Sequence, residues 1–163
     1  MPSLEKAQGT VLSLFRAVVG FLFLCHGLSS IFGILGGAVG THDSLPVGSW
    51  PGWWAALIQL VCGALVLIGL ATRPAAVLGS GSMAYAYFTV HIKVALFPIQ
   101  NGGEPAVMFC WSLLLIALFG PGPWALDRLF SLGRRRTRSQ DGVAAADHQP
   151  PLAEILARTS SGA

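Results

Sequence analysis

The chain has 163 residues, of which 53% are hydrophobic and only 10% are charged. Because soluble domains usually carry about a quarter charged residues, this composition excludes an ordinary soluble domain and indicates a membrane protein. The formal net charge of +3 owes much to the run "RRRTR" at residues 134–138, which follows the last apolar segment. A basic run in that position suits anionic lipid headgroups, so we do not predict nucleic-acid binding.

Four apolar segments follow one another along the chain. Crossing a hydrocarbon core takes about 20 helical residues, and we predict membrane-spanning helices at about residues 11–34, 53–70, 74–94 and 105–119. The first segment is too long for a signal peptide and has no small-residue cleavage site, so we interpret it as a permanent span. The sequence "GPGP" at residues 120–123 ends the fourth segment, because proline removes a helical donor. The predicted fold class is an all-α membrane protein with a bundle of four transmembrane helices.

Basic residues near the span ends predict the orientation. Lys6 precedes the first span, Arg73 lies between the second and third, and Arg128 follows the fourth together with the 134–138 cluster. Positive residues favour the cytoplasmic side, so both termini are predicted to be cytoplasmic. The predicted organisation is a cytoplasmic N-terminus at 1–10, a membrane domain at 11–130 and a basic, disordered cytoplasmic tail at 131–163, since the tail is polar and poor in aromatics.

Polar side chains recur at one depth inside the predicted spans. With the orientation fixed, a rise of about 1.5 Å per residue places four of them in the outer half of the membrane, and Tyr87, four residues before His91, can share the face of that residue. Such residues are costly in hydrocarbon and usually face a cavity or a partner, which predicts a shared pocket. The alternative is structural: each could be a packing residue, an interhelical hydrogen bond or a helix start. The five residues are His26, Gln59, Tyr87, His91 and Glu104.

A second polar pair lies toward the inner side. Arg16 cannot stay unpaired in hydrocarbon, and Asp127, just after the GPGP break, is the acid best placed to meet it. We predict a structural ion pair between them. The three cysteines form no C-x-x-C pair and no His/Cys cluster at metal-binding spacing, so we predict no metal site. The sequence carries no Fe–S, flavin or dinucleotide motif.

Three stretches resemble the DoxX family of small four-helix bacterial membrane proteins. They are "FLFLCHGLSSIFGILGG", "IQLVCGALVLIGLATRPAA" and "AYFTVHIKVALFPIQNGGEPAVMFCWSLLLIALFGPGPWALD". The resemblance extends over roughly residues 12–130. Two positions depart from the family pattern: Gln59 stands where the family usually has Glu, and Ser30 where it often has a basic residue. An amide cannot act as a general acid or base near neutral pH, so proton transfer at position 59 is in doubt.

The resemblance implies a multi-pass protein of the bacterial inner membrane that is associated with redox chemistry. Relatives include subunits of quinone-linked oxidation, and others are associated with oxidative-stress enzymes. In the first hypothesis a quinone from the outer leaflet contacts His26, Tyr87, His91 and Glu104, and a partner subunit supplies electrons. A haem held by both histidines is less favoured.

A second hypothesis is a non-catalytic scaffold that anchors a soluble partner, and either form could be a homo-oligomer. Transport of a small solute is a weaker third hypothesis, because four short helices without an inverted repeat leave little room for a gated path.

Overall fold

The computed structural model describes residues 2–38 and 40–128. These residues form helices and loops without a strand, which confirms the all-α prediction. The predicted disordered tail lies outside the described residues. The elements in chain order are α1 (Pro2–Phe32), α2 (Gly52–Ile68), α3 (Thr72–Thr89), a 3₁₀ turn (His91–Lys93), the short α4 (Pro98–Asn101) and α5 (Glu104–Phe119).

The helix ends follow from local sequence. Gly69 ends α2 in the left-handed region at φ 74°, and its N–H donates to the carbonyls of Leu65 and Val66. Pro105 lies in the first turn of α5, where its missing N–H leaves no helical bond unmade. The third helix ends at Thr89, although the predicted span continued to residue 94. The residues that follow include Val90 and Ile92, which are β-branched and have a lower helix propensity.

Close backbone contact defines the α1–α2 pair. A Cβ placed on Gly27 would lie 2.7 Å from the Cα of Leu60, and one on Gly63 would lie 2.7 Å from the Cα of Leu24. Only glycine allows helices to approach this closely. The second close pair is α3 with α5, and α2 packs against α3 between the pairs. The buried core includes Phe23 of α1 together with residues from the other three long helices.

The outward surface is apolar and the interior holds polar groups. Exposed large side chains on all four long helices include Phe21, Val61, Phe88 and Trp111. Among residues 4–38 and 40–128, the buried polar residues are Ser13, Arg16, Thr72, Ser80 and Asn101. Large apolar patches that face outward are typical of membrane contact rather than of water.

Within the residues that the structure describes, length and composition single out one helix that could cross a membrane, Leu4–Phe32. The helices Gly52–Ile68 and Glu104–Phe119 are apolar but shorter.

Candidate functional site

An open cleft of about 510 Å³ lies beside the second half of α1. One wall consists of α1 side chains, and the other is the glycine-rich loop that follows the helix. The His26 ring meets the edge of Phe109 from α5, with ring centroids 5.3 Å apart and planes at 87°. The lining residues are Leu22, Cys25, His26, Ser29, Leu35, Gly36, Gly37, Gly40 and His42.

The loop wall is fixed by short hydrogen bonds to α1 and within itself. The Ser29 hydroxyl donates to the Gly37 carbonyl at 2.5 Å, and the Leu45 N–H donates to the Ser30 carbonyl at 2.8 Å. Gly37 has φ 74°, and a Cβ there would collide with the backbone of His42. Any other residue at position 37 would therefore displace this wall of the cleft.

His26 has unused hydrogen-bonding capacity. Within the described ranges, neither ring nitrogen bonds to another residue, and the only ring contact is with Phe109. A polar group inside a membrane protein is normally paired, because an unpaired one is costly. The cleft therefore exposes one donor and one acceptor of a neutral imidazole to whatever enters it.

Tyr87 and His91 lie together, at the loop between α3 and α5. Their rings stack with centroids 6.4 Å apart. The Tyr87 hydroxyl donates to the Leu96 carbonyl at 2.8 Å. His91 Nδ1 lies 3.0 Å from the Asn101 carbonyl oxygen, which it can contact only as a donor. Both side chains therefore hold the loop.

Asn101 is a loop-organising residue that the sequence analysis did not select. Its side-chain amide donates to the Ala95 carbonyl at 2.8 Å, and its side-chain oxygen accepts the Gly103 N–H at 2.8 Å. Asn commonly bonds backbone two residues on, so the "NGG" sequence carried the signal. The buried amide makes the turn before α5 a fixed structure.

The remaining two predicted pocket residues lie apart from these. Gln59 donates weakly to the Met83 sulfur at 3.9 Å, between α2 and α3. Glu104 is exposed in the first turn of α5, where the helix dipole favours an acid. No hydrogen bond among the described residues links His26, Gln59 and Glu104 to one another. The structure thus joins Tyr87 with His91 and places His26 in a separate cleft.

The predicted ion pair takes a different form. Arg16 Nε donates to the Pro121 carbonyl at 2.8 Å, and its terminal nitrogens donate to Leu67 at 2.7 Å, Trp124 at 2.7 Å and Val66. The prediction of a direct contact with Asp127 is corrected, because among the described residues these carbonyls, and no carboxylate, take up the guanidinium. Four of the five N–H groups of the guanidinium therefore donate to backbone oxygens at the end of α2 and in or just after the GPGP sequence.

Asp127 instead caps the start of α3. Its carboxylate accepts the N–H groups of Ala71 at 2.8 Å and Thr72 at 3.0 Å. Partial burial raises the pKa of Asp127, but these amide bonds and the nearby Arg16 charge outweigh it, so the pKa lies below its ordinary value. Arg16 and Asp127 therefore act on neighbouring backbone groups and attract each other without touching.

An all-helical fold with apolar outer faces and an interior arginine defines a small helical membrane protein. The model of the DoxX family matches residues 11–92, which is half of the chain. The chain belongs to the DoxX family.

Three bacterial relatives are similar to most of the chain. An uncharacterized protein of Haemophilus influenzae is 36% identical, over 80% of this chain and 98% of its own length. A Bacillus subtilis protein named as a candidate oxidoreductase, CatD, is 31% identical over 75% of this chain and 88% of its own. An uncharacterized membrane protein of Mycobacterium tuberculosis is 31% identical over 80% of this chain and 88% of its own. No solved structure matches the chain significantly.

Proposed function

We propose that the protein is a four-span subunit of a redox complex in the bacterial inner membrane, and that the cleft beside His26 takes the headgroup of a quinone. Both termini lie in the cytoplasm in this proposal. The observation that carries it is an imidazole without a hydrogen-bond partner in the described chain, lining an open cleft of about 510 Å³.

The four-span arrangement is supported by the apolar outer faces of all four long helices. Exposed residues such as Leu78 on α3 and Leu118 on α5 would contact lipid rather than water. The short α2 and α5, of 17 and 16 residues, would be accommodated by local thinning of the bilayer.

The cleft residues fit a quinone headgroup. The walls combine apolar groups, Leu22 and Leu35, with the imidazole of His26 and the hydroxyl oxygen of Ser29. An imidazole N–H can donate to a quinone carbonyl, and the Ser29 oxygen, whose proton is directed to Gly37, can accept from the reduced form. A bound quinone would supply two-electron carrier chemistry. The chain itself would orient the ring and hold a proton at His26.

The redox assignment also draws on the B. subtilis relative whose name describes a candidate oxidoreductase. The electrons would come from a partner subunit, soluble or in the membrane. Tyr87, His91 and Glu104, which the sequence grouped with His26, would serve the loop that faces such a partner.

The second candidate function is a non-catalytic scaffold. It is favoured because several polar residues of the motifs hold the fold together. Arg16, Asp127 and Asn101 each bind two or more main-chain groups. A scaffold would anchor a soluble partner at the loop between α3 and α5, and no quinone would be bound.

Mass spectrometry of extracted lipids tests the choice. The wild type, His26→Ala and His91→Ala would be purified in mild detergent, and bound quinone measured per protein. We expect His26→Ala to bind quinone about tenfold more weakly, because the loss of a direct hydrogen bond of about 1.4 kcal/mol changes the affinity by that factor. His91→Ala should bind quinone as the wild type does. Equal quinone in all three variants would reject the cleft. A stoichiometric soluble partner without quinone would establish the scaffold.

Cysteine labelling tests the orientation. In a chain whose native cysteines are replaced by alanine, Gln100→Cys and Lys6→Cys place single exposed thiols on opposite predicted sides. An impermeant maleimide should label position 100 in intact cells and position 6 only after permeabilisation. The reverse pattern would overturn the orientation.

A further inference from the structure

A second cleft, of about 430 Å³, lies where α2 begins and α3 ends. One wall is aromatic: the rings of Trp50 and Tyr85 meet at 65° with centroids 6.2 Å apart. Trp50 is 72% exposed, which leaves most of the indole open to the surroundings. The lining residues are Trp50, Pro51, Tyr85, Thr89, Val90 and Lys93.

Lys93 brings a positive charge to this cleft from a fixed position. It ends the 3₁₀ turn that follows α3, and the contact of His91 with the Asn101 carbonyl, at 3.0 Å, holds that turn. In the described part of the chain, no carboxylate lies within ion-pairing distance of Lys93. Its charge is therefore available to a ligand.

Three different donor side chains in the cleft are unused. The Lys93 ammonium, the Tyr85 hydroxyl and the Trp50 indole N–H make no hydrogen bond to a described residue. The Thr89 hydroxyl has already directed its proton to the Tyr85 carbonyl. A group of donors with one net positive charge suits a ligand that has several acceptor oxygens and a negative charge.

We infer that this cleft binds the headgroup of an anionic phospholipid. The phosphate oxygens accept from Lys93 and Tyr85, and the glycerol and first methylene groups lie against Trp50 and Val90. A Lys ammonium is a common phosphate-binding group, and amphipathic aromatic rings belong at the boundary between lipid and water.

The size and walls of the cleft favour a lipid over free phosphate. A phosphate ion occupies the space of a few water molecules of about 30 Å³ each, a small part of about 430 Å³. The remaining surface is aromatic and aliphatic, and Val90, 48% exposed, continues it along the bundle. An acyl chain can cover that surface, whereas an inorganic ion cannot.

Native mass spectrometry of the full-length protein in detergent tests the inference, with phosphatidylglycerol titrated as the probe. Each basic residue near a membrane surface adds to the attraction for anionic lipid, so Lys93→Gln should weaken the binding of phosphatidylglycerol about fivefold. Lys6→Gln, which removes another exposed lysine, at the start of α1, is the matched control and should bind as the wild type does. Lys93→Arg should restore binding to within about twofold, since the charge is kept.

Further arms separate the alternatives. Tyr85→Phe removes one exposed hydroxyl without a change in charge and should weaken binding by about threefold, as the loss of a weak hydrogen bond does. Phosphatidylcholine, whose cation offsets its phosphate, should bind more weakly than phosphatidylglycerol. Displacement of the lipid by millimolar inorganic phosphate would show that the cleft binds the free ion and would refute the proposed lipid site. Equal affinity of Lys93→Gln and Lys6→Gln would overturn the site.

Discussion

Replacing Arg16 with methionine should strongly destabilise the protein, because the guanidinium satisfies main-chain oxygens that nothing else reaches. Arg16 is 2% exposed and donates to four carbonyls. The Val66 carbonyl keeps a second donor, the Gly69 N–H at 3.3 Å. The carbonyls of Leu67, Pro121 and Trp124 would lose their only donor among the described residues.

The magnitude follows from these three orphaned groups. An unsatisfied buried carbonyl costs about 1–3 kcal/mol, and the charge-assisted bond to Val66 is lost as well. We expect the free energy of unfolding to fall by about 3–5 kcal/mol, toward the lower end of the sum for three such groups. Arg16→Lys keeps the charge but lacks the planar fork, so it should lose roughly half as much.

Unfolding in mixed micelles of dodecyl maltoside and sodium dodecyl sulfate, followed by far-ultraviolet circular dichroism, measures the effect. Arg73→Met is the matched control, because Arg73 is exposed at the start of α3 and surface changes usually stay within about 0.5 kcal/mol. If Arg16→Met unfolds at the same detergent fraction as Arg73→Met, the guanidinium does not stabilise the ends of α2 and the GPGP loop.

Three further predictions use the same assay. Gly27→Ala would force a Cβ against the backbone of α2 and should lower the free energy of unfolding by about 1–3 kcal/mol. The control Gly81→Ala, with nothing within 4 Å of the new Cβ, should be neutral or slightly stabilising. Equal losses of stability in the two variants would contradict the close α1–α2 approach. Asn101→Ala should lower the free energy of unfolding by about 2 kcal/mol, because two side-chain hydrogen bonds of the loop are lost, and the control Gln100→Ala should hardly change it. Equal stability of the two variants would mean that the NGG turn keeps its structure without the Asn101 amide. Asp127 has a lowered pKa in the folded state, so its contribution to stability is complete above the unfolded pKa of about 3.9 and is lost as pH falls through the lower folded pKa. Asp127→Asn should remove that loss of stability in acid. An unchanged dependence of stability on pH would contradict the capping role.

The apolar segments predicted where the long helices lie, but not where each one begins and ends. Gly120 ends α5 at the GPGP sequence, as predicted, whereas α1 begins at Pro2, nine residues before the predicted span, and α2 ends at Ile68, two residues early. The end of α3 was missed by five residues, although the sequence remains apolar to residue 94. Val90 and Ile92 are β-branched, so they are favourable for a span by hydropathy and less favourable for continued helix.

The predicted site depended on depth, and depth does not determine which face of a helix a side chain occupies. Tyr87 and His91 came together because they are four residues apart in the chain. Gln59 instead contacts Met83. His26 faces the loop after α1, and the assignment of membrane spans does not predict the path of a loop. Arg16 shows the same limit: charge predicted a partner, but four backbone oxygens were the partners available.

The polar side chains of this bundle fall into two sets according to whether the backbone uses them. Arg16, Asp127 and Asn101 bind main-chain groups at helix ends and in loops, where an unmet carbonyl or amide would be costly in a membrane. His26 and Lys93 bind none in the described chain, yet each lines a cleft. Because each of these side chains lines a cleft and has donors that the described backbone does not use, these two clefts are where ligands should be sought.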